Sequence, residues 1–128
     1  MRISFTVPGD PVPYLRMTQG QVKLMRIPDR KISGPGMKVK KKIRRYLEYK
    51  DRARLVSSRY EFLRAPTEKV YLNVFVYFSS RRHGDPENIR KGIQDAVFEQ
   101  DRYVAGSVDF GYDAQNPRVE VEIIDGRD

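Results

Sequence analysis

The chain has no cysteine among its 128 residues. Disulfides, thiolate catalysis and cysteine-ligated zinc are excluded, and stability must come from packing. No run approaches the ~20 apolar residues of a membrane span. The opening Met1-Arg2-Ile3-Ser4-Phe5-Thr6-Val7-Pro8 also lacks a sustained apolar stretch. A cytoplasmic protein without a membrane partner is the expectation. Negative charge is the minority: 17 Asp plus Glu stand against 25 Lys plus Arg, a net charge of +8. That balance favours a polyanionic partner such as nucleic acid, or else is simply a soluble basic surface. The length suits one domain over residues 1–128.

Along the chain, Ile3, Phe5 and Val7 alternate and then meet Pro8-Gly9-Asp10-Pro11, which predicts a first strand over Arg2 to Val7. Residues 12–35 are broken by Pro13, Gly20, Pro28, Gly34 and Pro35 and carry Arg16, Lys23, Arg26, Arg30 and Lys31. They read as a long, partly mobile basic loop suited to a phosphate backbone, with only Gln21 to Ile27 as a short extended piece. From Met37 to about Arg64 there is no Gly or Pro, and Val39, Ile43, Tyr46, Tyr49, Ala53, Val56, Tyr60 and Leu63 recur at three- and four-residue steps. This predicts one long amphipathic helix. Its first turns hold Lys38, Lys40, Lys41, Lys42, Arg44 and Arg45, either a DNA-facing strip or a solvated face.

Lys69 to Ser79 alternates through Val70, Leu72, Val74, Val76 and Phe78, with Tyr71, Asn73, Phe75 and Tyr77 between. A strand inside the sheet, covered on both faces, is expected. Tyr103 to Phe110 and Arg118 to Ile124 complete the set as strands, with Asp113 to Pro117 as their hairpin loop. Together these predict an α+β domain with a mixed sheet of about four strands, one long helix and one short helix.

The chemistry concentrates in Asp85-Pro86-Glu87-Asn88-Ile89-Arg90-Lys91, with Asp95 and Asp101 following. If the segment is helical, Glu87, Lys91 and Asp95 share one face while Ile89, Ile93, Ala96 and Val97 form a separate apolar stripe. Asp85 before Pro86 also fits a helix cap, Glu87 suits the positive end of the helix dipole, and Asp95 lies one turn from Lys91. Against those structural roles stands a hydrolytic metal site. Carboxylates with one histidine and no cysteine suit Mg²⁺ better than zinc, and a lysine beside them would stabilise charge on a phosphate or hold the attacking water. Asn88 would orient a ligand or bind backbone. His83 is either a general base or a polar surface group, and Arg81 and Arg82 suit phosphate positioning.

These residues resemble the RusA family of Holliday junction resolvases. The likeness spans nearly the whole chain, from Val7-Pro8-Gly9-Asp10-Pro11-Val12-Pro13 to Asn116-Pro117-Arg118-Val119-Glu120-Val121-Glu122-Ile123. Its specific part is an Asp-x-Asp-Asn-x-x-Lys motif, here Asp85 to Lys91 with Asp95 beyond, followed by an acidic turn matched by Gln100-Asp101-Arg102-Tyr103-Val104. The resemblance implies a homodimeric endonuclease that uses Mg²⁺, with Mn²⁺ as a possible substitute and no small-molecule cofactor. It would make paired nicks in four-way DNA junctions during recombination and repair. It further implies Asp85, Glu87 and Asp101 as metal ligands, Lys91 as a catalytic lysine and Asp95 as a supporting acid. The DNA-binding set would be Arg16, Lys38, Lys41, Lys42, Arg45, Arg81, Arg82 and His83. Glu87 replaces the family's second aspartate and Gln100 one member of its acidic pair; Asp109 is an alternative third ligand. Two other functions fit the same residues: a metal-dependent nuclease for flap or branched DNA, and a junction-binding module without catalysis.

Overall fold

The computed structural model describes residues 2–125, apart from the side chains of residues 61–63. They form one α+β domain. Strand β1 spans Arg2–Pro8, helix α1 Gln19–Arg26, α2 Pro35–Val56, β2 Val70–Phe78, α3 Pro86–Val97, β3 Val104–Tyr112 and β4 Arg118–Asp125. The sheet order is β1-β4-β2-β3. β4 runs antiparallel to both β1 and β2, whereas β3 runs parallel to β2. A parallel neighbour needs a crossover, and α3 is that connection.

The expected hairpin between the last two strands is therefore absent. β3 and β4 lie on opposite sides of β2, and residues 113–117 pass over its end, where the Asp113 amide donates to the Phe78 carbonyl at 2.9 Å. Alternation identifies a strand but not its neighbour, and a five-residue link can cross one strand as readily as turn back.

Three α-helices form instead of two. The segment expected to be extended is α1, whose start is a capping box: the Gln21 amide donates to Thr18 Oγ1 at 3.2 Å while the Thr18 amide donates to Gln21 Oε1 at 3.1 Å. The long helix ends early, at Val56. Ser57 and Ser58 turn their hydroxyls onto the carbonyls of Arg54 and Leu55, at 3.1 and 2.7 Å, a local alternative to the helical ladder. A 3-10 segment, Ser58–Leu63, follows with a break at Tyr60. The Leu63 side chain, expected on the apolar stripe, lies outside the described ones.

Both long helices pack on one face of the sheet. The core joins Tyr46, Tyr49 and Ala53 of α2 and Ile89, Ile93, Ala96 and Val97 of α3 to Ile3 and Val7, the Val70 to Phe78 row and Val119, Val121 and Ile123. The opposite face is not covered as expected. Tyr71 is exposed and Asn73, Phe75 and Tyr77 half-exposed, because α1 packs against α2 rather than beneath the sheet. Among the described residues, no helix is long and apolar enough to cross a membrane.

Residues 12–35 are tied to α2. The Lys40 ammonium, on a residue only 4% exposed, bonds the Ile27 carbonyl and stands 2.8 Å from the Asp29 carboxylate. Arg44 donates to both oxygens of that carboxylate, at 3.1 and 3.2 Å. The bonds from Lys40 and then Arg44 hold the Asp29 carboxyl below its ordinary range.

Candidate carboxylate cleft and cationic surface

β2 delivers the chain to α3 through Ser79 to Gly84. At the junction Asp85 acts as the helix cap, its carboxylate accepting from the Glu87 amide at 3.0 Å, with Pro86 in the first helical position. From there a polar chain runs along the helix. Arg90 Nη1 donates to Glu87 Oε1 at 3.3 Å and to Gln94 Oε1 at 3.2 Å, and Gln94 Nε2 donates to Asp101 Oδ2 at 3.2 Å. Arg90 is buried and fixed from behind, its Nε donating to the Leu72 carbonyl in β2 at 3.2 Å.

Glu87, Lys91, Asp95 and Asp101 all line one cleft of about 430 Å³, together with Arg90, Gln94, Glu99 and Tyr14. Asp85 is not in its lining. Lys91 is exposed and has no ion-pair partner among the described residues. Asp95 does not pair with Lys91. It takes Lys50 Nζ at 2.8 Å and the Tyr46 hydroxyl at 2.7 Å. Partial burial pushes the Asp95 carboxyl up, but these two bonds and the nearby positive charge outweigh it and leave it lowered. The same arrangement raises the Tyr46 hydroxyl, through burial first and then the neighbouring carboxylate. Asn88 contributes its backbone carbonyl, which accepts from the Tyr14 amide at 2.9 Å. Asp109 is elsewhere. It lies on the uncovered side of the sheet, in a hollow with Glu120 and Glu122, so it is not a third member of this cleft.

The donor set is all hard oxygen, with Glu87 half-exposed and Asp101 exposed, and lies next to a lysine. Mg²⁺ is commonly held by one or two carboxylates with waters and phosphate oxygens completing its shell; here Glu87 and Asp101 line one cleft, each already accepting a side-chain hydrogen bond, from Arg90 and from Gln94. The three-carboxylate set Asp85, Glu87 and Asp101 is not gathered at a point. Among the described residues no three His, Asp or Glu side chains stand close enough to hold an ion together.

His83 faces a different pocket. Its ring lies flat on Phe78, centroids 3.7 Å apart, and its two nitrogens meet the Gly84 carbonyl at 2.7 Å and the Tyr112 hydroxyl at 3.1 Å. Because a carbonyl only accepts, Nδ1 donates to Gly84, and Nε2 is engaged with the Tyr112 hydroxyl. That occupies both nitrogens and leaves no general base toward the carboxylate cleft. Arg82 and Arg45 line the pocket beside His83, while Arg81 stands over the Tyr112 ring at 5.9 Å.

On α2 the basic residues divide. Lys40, Arg44, Lys50, Arg52 and Arg54 bond other parts of the chain. Lys38, Lys41, Lys42 and Arg45 are exposed without an ion-pair partner among the described residues, as is Arg16. Spacing of three, four and seven puts the four helical cations within an arc of about 100°. Arg90 and Gln94 are the site residues the sequence reading passed over. Their spacing from Glu87, three and then four residues along one helix face, was the available signal. No protein-family model matches the chain, and comparison with curated proteins finds no match.

Proposed function

We propose that the chain is a RusA-like Holliday junction resolvase, a homodimeric Mg²⁺-dependent endonuclease acting on four-way DNA junctions. The supporting observation is that Glu87, Lys91 and Asp101 line a single cleft in a protein whose unpaired cations are ranged along α2 and the β2–α3 loop. Glu87 and Asp101 would hold the ion, which supplies polarisation of a phosphodiester and a nucleophilic hydroxide at neutral pH. Lys91 offers its ammonium to the charge that develops on the phosphate. Arg90, through Gln94, keeps the two carboxylates turned into the cleft. A two-fold symmetric dimer would place one such site on each of two equivalent junction strands.

A second reading, a junction-binding module without catalysis, is favoured by Asp85, whose carboxylate caps α3 outside the cleft. Cleavage of a labelled mobile four-way junction, beside a linear duplex and a flap of matching sequence, separates the readings. Paired nicks in the junction with Mg²⁺ but not EDTA, abolished in Lys91→Ala, are the expected result. Preferential flap cleavage would instead make it a flap nuclease. Tight junction binding with no cleavage under Mg²⁺ or Mn²⁺ would leave only the binding module.

A further inference from the structure

The pocket beside His83 has a volume of about 290 Å³ and is lined by Arg45 from α2, Arg82, Ser79 and Ser80 from the β2–α3 loop, His83 and Asp10. Neither arginine has an ion-pair partner among the described residues. Two guanidinium groups and the Ser79 hydroxyl against one carboxylate, with the Ser80 hydroxyl turned to the Arg82 carbonyl at 3.4 Å, make a donor-rich, net positive hollow, the chemistry of a phosphate site. Arg45 is also the last of the four cations aligned on α2. Lys38 to Arg45 covers about 10.5 Å at 1.5 Å per residue, the axial length of about three nucleotides of one strand at 3.4 Å each.

A single thickness of chain separates this pocket from the carboxylate cleft. Pro13 belongs to the pocket lining and Tyr14 to the cleft lining. Pro13 lies against Gly84, and the Tyr14 amide is bonded to Asn88, so this partition is fixed to both ends of the α3 entry.

We infer that the Arg45–Arg82 pocket is a subsite for a backbone phosphate of a nucleic-acid strand, which runs along the α2 cations and is held here beside the carboxylate cleft. The inference rests on the nucleic-acid part of the proposed function and adds to it the position of one phosphate. His83 is a wall of this subsite, since its nitrogens are engaged with Gly84 and Tyr112.

His83 is the only histidine in the chain, so its ring resonances report on this pocket alone. The test is NMR of the isotopically labelled protein in EDTA, titrated with a thymidine trinucleotide and, separately, with inorganic phosphate. The expected result is a saturable shift of the His83 signals by the trinucleotide, at concentrations at least tenfold below those needed with inorganic phosphate. Arg45→Gln and Arg82→Gln should each weaken it about tenfold, the effect of removing one charge-assisted contact. Arg59→Gln, in the 3-10 segment, should leave it unchanged. Absence of a saturable shift, or equal affinity in Arg82→Gln, overturns the inference. So does equal affinity for inorganic phosphate, which would make the pocket a free-anion site. Because metal is excluded, a silent His83 in a protein that cleaves junctions sinks the subsite and spares the nuclease, while a responsive His83 in a protein that never cleaves does the reverse.

Discussion

Arg90 of α3 donates its Nε to the carbonyl of Leu72, in β2, at 3.2 Å. A helix that carries the candidate cleft is thereby locked to the sheet by the same guanidinium that aligns Glu87 and Gln94.

Replacing Arg90 should therefore cost both stability and metal affinity. Arg90→Met leaves the Leu72 carbonyl, the Glu87 carboxylate and the Gln94 amide oxygen without their shared donor and is expected to lower unfolding stability by about 1.5–3 kcal/mol. Arg90→Lys restores little, since an ammonium cannot reproduce the planar fork. Gln94→Met, which keeps the Arg90–Leu72 anchor and removes the bonds of Gln94 to Arg90 and Asp101, is expected to weaken Mn²⁺ binding by about tenfold or more while stability changes little. Urea denaturation and titration calorimetry read the two effects separately.

Neighbouring lysines on α2 should behave oppositely. Lys40→Met removes a buried tie to residues 27–29 and is expected to destabilise by about 1–2 kcal/mol, with DNA affinity affected only through folding. Lys41→Met should leave stability within about 0.5 kcal/mol and reduce the slope of log affinity against log salt by about 0.9. Equal effects of the two in both assays would contradict this division of the basic run.

Tyr46 and Tyr49 pack in the same core but differ at the hydroxyl. Tyr46 donates to Asp95 at 2.7 Å, whereas the buried Tyr49 hydroxyl has no hydrogen-bond partner among the described residues. Tyr49→Phe should be neutral or stabilising by up to about 1 kcal/mol, and Tyr46→Phe destabilising by about 1–2 kcal/mol. Thermal unfolding of the pair tests the contrast.

Gly106 in β3 has φ +143°, and a Cβ there would lie 1.9 Å from the Leu72 carbonyl oxygen. Gly106→Ala cannot be relieved by a side-chain shift, because the obstacle is backbone. A loss above about 3 kcal/mol, or failure to fold, is expected by circular dichroism.

Acid should weaken the fold through three carboxylates. Asp29, Asp95 and Asp113 all titrate below their unfolded value, so the stability they add is present above the unfolded value of about 3.9 and is lost as pH falls through the lower, folded values. The urea midpoint should drop between pH 5 and pH 2.5, with a shallower fall in Asp95→Asn.

Element identity was legible wherever a period ran unbroken. Val70 to Phe78 and Ile89 to Val97 carry uninterrupted patterns of two and of three to four, and both elements stand where those patterns put them. Glu87, Lys91 and Asp95 likewise share a cleft, as their helical spacing suggested. What escaped the sequence depended on bonds between elements or on single polar residues. Thr18 and Gln21 start a helix inside a stretch full of Pro and Gly, Ser57 and Ser58 stop one without either, and β4 chooses its neighbours by surface fit that no local pattern encodes. Lys40 looked like its neighbours because burial of one lysine in a run is decided by what packs over it.

The order in which strands are made differs from the order in which they lie. β4, which follows the other described strands in chain order, sits between β1 and β2 and supplies every sheet hydrogen bond that β1 receives. Until residues 118–125 emerge, β1 has no partner and only the β2–β3 ladder can zip. A chain stalled at Pro117 would thus expose two strand edges more than the completed sheet, one on β1 and one on β2, making the nascent form far more prone to association than the finished one.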